Sequence, residues 1–128
     1  MPQPLRQLTI KSRYVRLVLE GRKRSTIRLG NLAVNSKYVK VVSSGRPIAI
    51  VRVDSVVHKK VKDLTDEDAV YDGFRGLPEL FRELRSIYGD FTLEDEITII
   101  RFSLVRTLVP GGYDGLRGRP RRPRGGPQ

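Results

Sequence analysis

EGRKRSTIRLG, residues 20–30, packs four cationic side chains, two glycines and two hydroxyls into eleven residues. Gly21 suits the C-cap of a helix that ends here. The β-branched run STIRL (25–29) reads as a strand. Lys23, Arg24 and Ser25 therefore lie at a helix-to-strand corner. On a strand, Thr26 and Arg28 point the same way, because alternate residues share a face. A lysine at the corner can approach that face. Three readings are open from these residues alone. The corner is a solvated basic turn, or it grips an anion or a carbonyl oxygen. Alternatively, a desolvated, neutral Lys23 acts as base towards the Thr26 hydroxyl.

Upstream, KSRYVRLVLEG (11–21) reads as a short helix with Tyr14, Leu17 and Val18 on one face and Ser12 as N-cap. Downstream, KYVKVVSS (37–44) and IAIVRVDSVV (48–57) read as strands joined by a hairpin at Ser-Ser-Gly-Arg-Pro. The second strand starts apolar on both faces, so its first half is expected to be buried on both sides. In LTDEDAVYDGF (64–74), Thr65 and Asp68 have capping-box spacing, with aspartate in place of Glu or Gln, and Gly73 ends the short helix. LPELFRELRSIY (77–88) is the clearest helix, with Leu77, Leu80, Phe81, Leu84, Ile87 and Tyr88 as its apolar stripe and Pro78 in its first turn. ITIIRFSLVRTL (97–108) reads as a long strand. Its Ile100, Phe102 and Leu104 are expected to face the core, with Arg101 and Ser103 facing out. This order predicts an α+β fold, a small mixed β-barrel with two or three helices over residues 1–110. Residues 111–128 are Arg, Gly and Pro with little to bury, a tail expected to be disordered on its own.

A chain of 128 residues with 38% apolar content suits one domain. The absence of cysteine excludes disulfides, thiolate zinc sites and thiol catalysis. The single histidine, His58, is no basis for a metal site, and no cofactor is expected. No run of 18 apolar residues is present and the N-terminus has no apolar signal core, so a cytoplasmic protein without membrane contact is expected. Scarce cysteine, methionine and asparagine beside many arginines lean towards a heat-adapted source.

The net charge is +11, and it is unevenly spread. Residues 1–62 carry +13, residues 63–96 carry −8, and the tail from 111 carries +4. This division predicts a polarised surface whose basic side meets a polyanion.

GRKRSTIR (21–28) matches a Gly-x-Lys-x-x-Thr-x-Arg signature and resembles the ASCH domain family. The order of elements over residues 8–108, including the YDGF turn, is similar to that family as well. The resemblance implies a PUA-like β-barrel with a cleft beside the signature, and an RNA-binding or RNA-linked role. One branch of the family hydrolyses the amide of cytidine acylated on its exocyclic amine, without a metal, and some relatives are reported to cut RNA. Carried over, that branch implies Lys23 as activator, Thr26 as nucleophile and an acid at Asp72. The family's acid there is a glutamate, one methylene longer, so Asp72 falls short of it. Glu67 is an alternative acid that the alignment does not favour.

The resemblance and the charge together make RNA the expected partner. Structured RNA in a ribonucleoprotein is the concrete expectation, with ribosomal RNA and neighbouring ribosomal proteins as candidates. The residues expected to grip it are Arg13, Arg22, Lys23, Arg24, Arg28, Lys37, Tyr38, Lys59 and Lys60. In the tail they are Arg117, Arg119, Arg121, Arg122 and Arg124. The cations neutralise phosphates, arginine through its two-pronged fork, and Tyr38 stacks on exposed bases.

Overall fold

The protein is described by a computed structural model that covers residues 5–109 and the backbone of 113–114 and 119–120. Five strands form one sheet: β1 (Gln7–Thr9), β2 (Ser25–Leu29), β3 (Tyr38–Ser43), β4 (Arg46–Lys60) and β5 (Glu96–Thr107). Their order is β1-β3-β4-β5-β2. β1 runs parallel to β3, and the other pairs are antiparallel. Three helices accompany the sheet: α1 (Val15–Leu19), α2 (Asp66–Tyr71) and α3 (Leu77–Tyr88). Single 3₁₀ turns at Ser12–Tyr14 and Val61–Asp63 lead into α1 and towards α2. The α+β fold expected from the sequence is the fold observed, its five-stranded sheet curled into a half-barrel. Tyr113–Asp114 pairs with Arg119–Pro120. The disorder expected of the tail falls mostly outside the described residues.

The hairpin between β3 and β4 turns at Ser44 and Gly45, at φ +50° and +76°. Two consecutive positive values match the twist of the flanking strands. Thr65 caps α2 as expected: its hydroxyl accepts from the Asp68 amide at 3.1 Å, and the Asp68 carboxylate accepts from the Thr65 amide at 3.0 Å. Ser12 is not a cap. Its residue lies inside the 3₁₀ turn, and no side chain caps that turn or α1.

β5 divides the core. Ile97 and Ile99 project into one cluster with Ile27, Leu80 and Leu84, which seats α3 against β2 and β5. Ile100 and Phe102 project the other way, onto Val39, Val41 and Val51 of the sheet and Val15 and Val18 of α1. The expected inward position of Leu104 is not observed, since it is 39% exposed. The β4–β5 ladder skips Val105 just beyond it, and such a bulge bends the strand end. Ile87 of the expected α3 stripe is exposed as well.

Candidate functional site

The corner at Lys23 is built by its own backbone. The Gly21 amide donates to Val18 O at 3.1 Å and the Arg22 amide to Leu17 O at 2.8 Å. These are the paired bonds of a Schellman cap, with Gly21 at φ +76°. The Lys23 amide adds a bond to Leu17 O at 3.0 Å. The Arg24 amide then donates to Tyr71 O at 2.7 Å, and Arg24 O accepts from the Phe102 amide at 2.9 Å. The corner is thus held by α1, the end of α2 and β5.

Lys23 points inward and is 5% exposed. Its ammonium donates to Asp72 Oδ1 at 2.9 Å, Ser25 O at 2.9 Å and Asp72 O at 3.2 Å. The Ser25 hydroxyl donates to the same Asp72 oxygen at 3.0 Å. Asp72, one methylene short of the family's glutamate, therefore does reach Lys23. Burial pushes its carboxyl above the usual carboxylate range, and the Lys23 charge and the Ser25 hydroxyl pull against that. Gly73, at φ +97°, closes the turn. A Cβ there would lie 3.3 Å from Leu17 Cδ1 and 3.4 Å from Lys23 Cβ, so the bare backbone lets the turn press on the lysine stem.

Thr26 and Arg28 share a face of β2, as alternation requires. Arg28 Nε donates to Thr26 Oγ1 at 3.1 Å, and Nη2 donates to Thr9 O at 2.9 Å. Lys23, Thr26, Arg28 and Asp72 line one cleft of about 290 Å³. Phe74, Leu80, Leu84 and Tyr88 line its apolar part. Tyr14 also lines it, edge-on to Phe74 with ring centroids 5.9 Å apart, and the Lys23 ammonium lies 5.6 Å from the Tyr14 ring centre. Burial and the Glu83 carboxylate push the Tyr14 phenol up to about 12, so it stays protonated at neutral pH. Sequence reasoning placed Tyr14 on the apolar face of the first helix and Tyr88 in the α3 stripe, and gave neither of them, nor Phe74 or Glu83, a place in the cleft. Glu83 lies on the polar side of the helical pattern and carries no signal of its role.

Thr26 lines the cleft with Lys23 and Asp72, and its hydroxyl has Arg28 as side-chain partner, with no hydrogen bond to either of them. Three acceptors surround Lys23 Nζ and use the three N–H bonds of an ammonium. Glu67, the alternative acid, is exposed and does not line the cleft.

The other expected contacts are dispersed. Arg13 pairs with Glu83 at 3.0 Å, Lys59 with Asp68 at 2.6 Å and Lys60 with Glu94 at 3.0 Å. Arg22 lies 3.8 Å from Glu20, and the Arg24 guanidinium sits 4.4 Å from the Tyr71 ring centre. Lys37 lies over the ring of Tyr38, which is 51% exposed. The side chains of Arg117, Arg119, Arg121, Arg122 and Arg124 lie outside the described residues. The division of charge along the sequence is undone in part in space. Asp68, Asp72, Glu83 and Glu94 of the acidic segment pair with Lys11, Arg13, Lys23, Lys59, Lys60, Lys62 and Arg101.

His58 Nδ1 lies 3.1 Å from Thr98 Oγ1. That hydroxyl donates to Gly30 O at 2.7 Å and accepts from the Leu32 amide at 2.9 Å. Its only proton is therefore in use, so Nδ1 is placed as the donor in this contact and His58 helps pin the loop after β2. Among the described residues, no group of three or more His, Asp or Glu could hold a metal ion, and no helix is long and apolar enough to cross a membrane.

A PUA-like half-barrel with a cleft beside a Gly-x-Lys-x-x-Thr-x-Arg corner is the architecture of the ASCH class. The ASCH domain family model matches residues 5–106, and the chain belongs to that family. Solved structures agree on the fold. An ASCH domain from Lactobacillus crispatus superposes with a TM-score of 0.64 at 20% identity, covering 72% of this chain and 70% of that one. Protein EF3133 of Enterococcus faecalis gives 0.61 at 20% identity, covering 86% and 85%. An ASCH protein from Zymomonas mobilis gives 0.55 at 12% identity, covering 80% and 73%. No curated protein matches the chain significantly.

Proposed function

We propose that this is an RNA-binding protein whose signature cleft takes an unpaired base. The observation that carries the reading is the composition of the cleft. Tyr14, Phe74 and Tyr88 share the cavity with Arg28 and with Lys11 and Lys23, which pair with the Glu83 and Asp72 carboxylates. Aromatic walls receive the flat face of a base, and Arg28, which among the described residues has no carboxylate partner, attracts a phosphate beside it. The net charge of +11 adds long-range attraction. The ribosomal partners expected from the sequence form no part of this proposal.

Affinity for an RNA hairpin with a single-stranded loop is expected to fall steeply with salt. Each neutralised phosphate contributes roughly −0.7 to −0.9 to the log–log slope. Removing residues 111–128, which carry +4, should reduce the slope by about three. A flat salt dependence, or no binding at low salt, would overturn the reading.

The rival is a metal-independent amidohydrolase acting on an acylated nucleoside. It draws on the meeting of Lys23, Thr26 and Asp72 in one cleft. The absence of a hydrogen bond from the Thr26 hydroxyl to Lys23 or Asp72 counts against it, because a nucleophilic hydroxyl needs a base within hydrogen-bond reach. Incubation with acylated cytidine is expected to release no cytidine. Turnover that disappears in Thr26→Ala would reverse the ranking.

A further inference from the structure

We infer a second RNA-contacting surface, on the solvent face of β3, β4 and β5, built from Lys37, Tyr38, Lys40, Arg52 and Arg106. The inference rests on the RNA-binding reading and identifies where the rest of the strand runs.

Strand register assembles the face. Val39 and Val41 pair with Val51 and Ala49 and point into the core. Their neighbours Tyr38 and Lys40 therefore point to solvent, opposite Arg52 and Ile50. Across the next ladder, Ile50 stands opposite Arg106 and Arg52 opposite Ser103. Lys40 and Arg106 thus flank Ile50 in one row, two strand spacings apart, or roughly 10 Å. Tyr38 and Arg52 form the adjacent row. None of these residues lines the cleft. Because the core side of these strands packs on Val15 and Val18, the face looks away from α1.

Charge gives the face its partner. The basic stretches most prominent in the sequence, Lys11–Arg13 and Lys59–Lys62, are paired with the chain's own carboxylates. Among the described residues, Lys37, Lys40 and Arg106 have no carboxylate partner. Arg52 gives only its Nε to Asp54, at 3.0 Å, and Asp54 is also held by the Ser103 hydroxyl. The carboxylate of Asp54 is the one acid in this group, set against four cations. Tyr38 lies among the cations with half its surface open to solvent. Lysine and arginine around an exposed ring are the elements that follow a phosphate backbone and stack one of its bases. The arginine-rich residues 111–128 follow in sequence from the end of β5 that carries Arg106.

The test uses the full-length chain and the same loop-bearing RNA hairpin. Lys40→Gln/Arg106→Gln alters exposed side chains only and should keep the wild-type melting temperature. It is expected to reduce the salt slope by roughly 1.4 to 1.8, two contacts' worth. Tyr38→Ala should weaken binding to the hairpin by roughly 5- to 150-fold and leave binding to a blunt duplex unchanged, with Tyr38→Phe restoring it. Wild-type binding that both variants reproduce, in affinity and slope, overturns this surface and leaves the cleft reading standing. Wild-type protein that binds no RNA overturns both. Arg28→Gln interrogates the cleft separately and touches none of these residues.

Discussion

Lys23→Met is expected to destabilise the fold at pH 8 by about 3–5 kcal/mol, the usual consequence of removing one partner from a buried ion pair. The substitution leaves Asp72, itself 5% exposed, with the Ser25 hydroxyl as its one side-chain donor. The pH dependence identifies the cause. Burial already holds the Asp72 carboxyl above the usual range in the folded state, and losing the Lys23 charge raises it further. A group raised in this way favours folding fully below its unfolded value, about 3.9, and that contribution is lost as pH rises through the folded value. The gap between variant and wild type should therefore widen from pH 4 to pH 8 in urea denaturation. Replacing both residues, as Lys23→Met/Asp72→Leu, should recover most of the loss, because no unpaired charge remains. A single variant within about 1 kcal/mol of wild type at pH 8 would show that the pair is not desolvated.

Asp68→Ala is expected to destabilise by about 2–3 kcal/mol at pH 7. Asp68 closes the capping box of α2 and also meets Lys59 at 2.6 Å and Arg101 at 3.2 Å. Arg101 has a buried Nε without a partner, so it depends on this contact and on the Tyr71 ring, 4.0 Å from its guanidinium carbon. Burial acts to raise the Asp68 carboxyl, but Lys59 and the Thr65 amide outweigh it and hold the group below its usual value. A depressed carboxyl stabilises above its unfolded value and loses that contribution as pH falls through the folded one. The difference from wild type should thus persist from pH 8 to about 4 and shrink only below that. A difference that disappeared at pH 6 would assign the effect to another group.

Local chemistry made much of the fold legible in the sequence. The β-branched run at 25–29, the Thr65–Asp68 box and the α3 stripe each carry their own signal, and each element is found where expected, with Ile87 alone of the stripe turned to solvent. β1 was not legible. Three residues carry no period, and their parallel pairing with β3 is a long-range choice. Inward and outward faces failed where the β4–β5 ladder shifts register, because alternation along one strand cannot reveal a bulge. At the site, spacing on β2 foretold that Thr26 and Arg28 would meet. The approach of Asp72 to Lys23, across 49 positions, came from the resemblance alone. The pairing of the basic stretches with the acidic segment was invisible, because charge along a chain carries no geometry. The same gap hid Lys40, Arg52 and Arg106, which alternation scatters through three strands and the sheet gathers.

The corner at Lys23 and the turn at Asp72 are joined four times, by the Arg24 amide on Tyr71 O, by the lysine on both the Asp72 carboxylate and its carbonyl, and by the Ser25 hydroxyl on the carboxylate. The two halves of the site are therefore ordered when the chain folds, before any ligand arrives. A ligand entering the cleft bears little of the entropic penalty of arranging it. Selection among ligands then falls to the shape and wetting of a fixed recess. Encounter, with no closing motion of this corner required, should proceed at a rate governed by diffusion and charge.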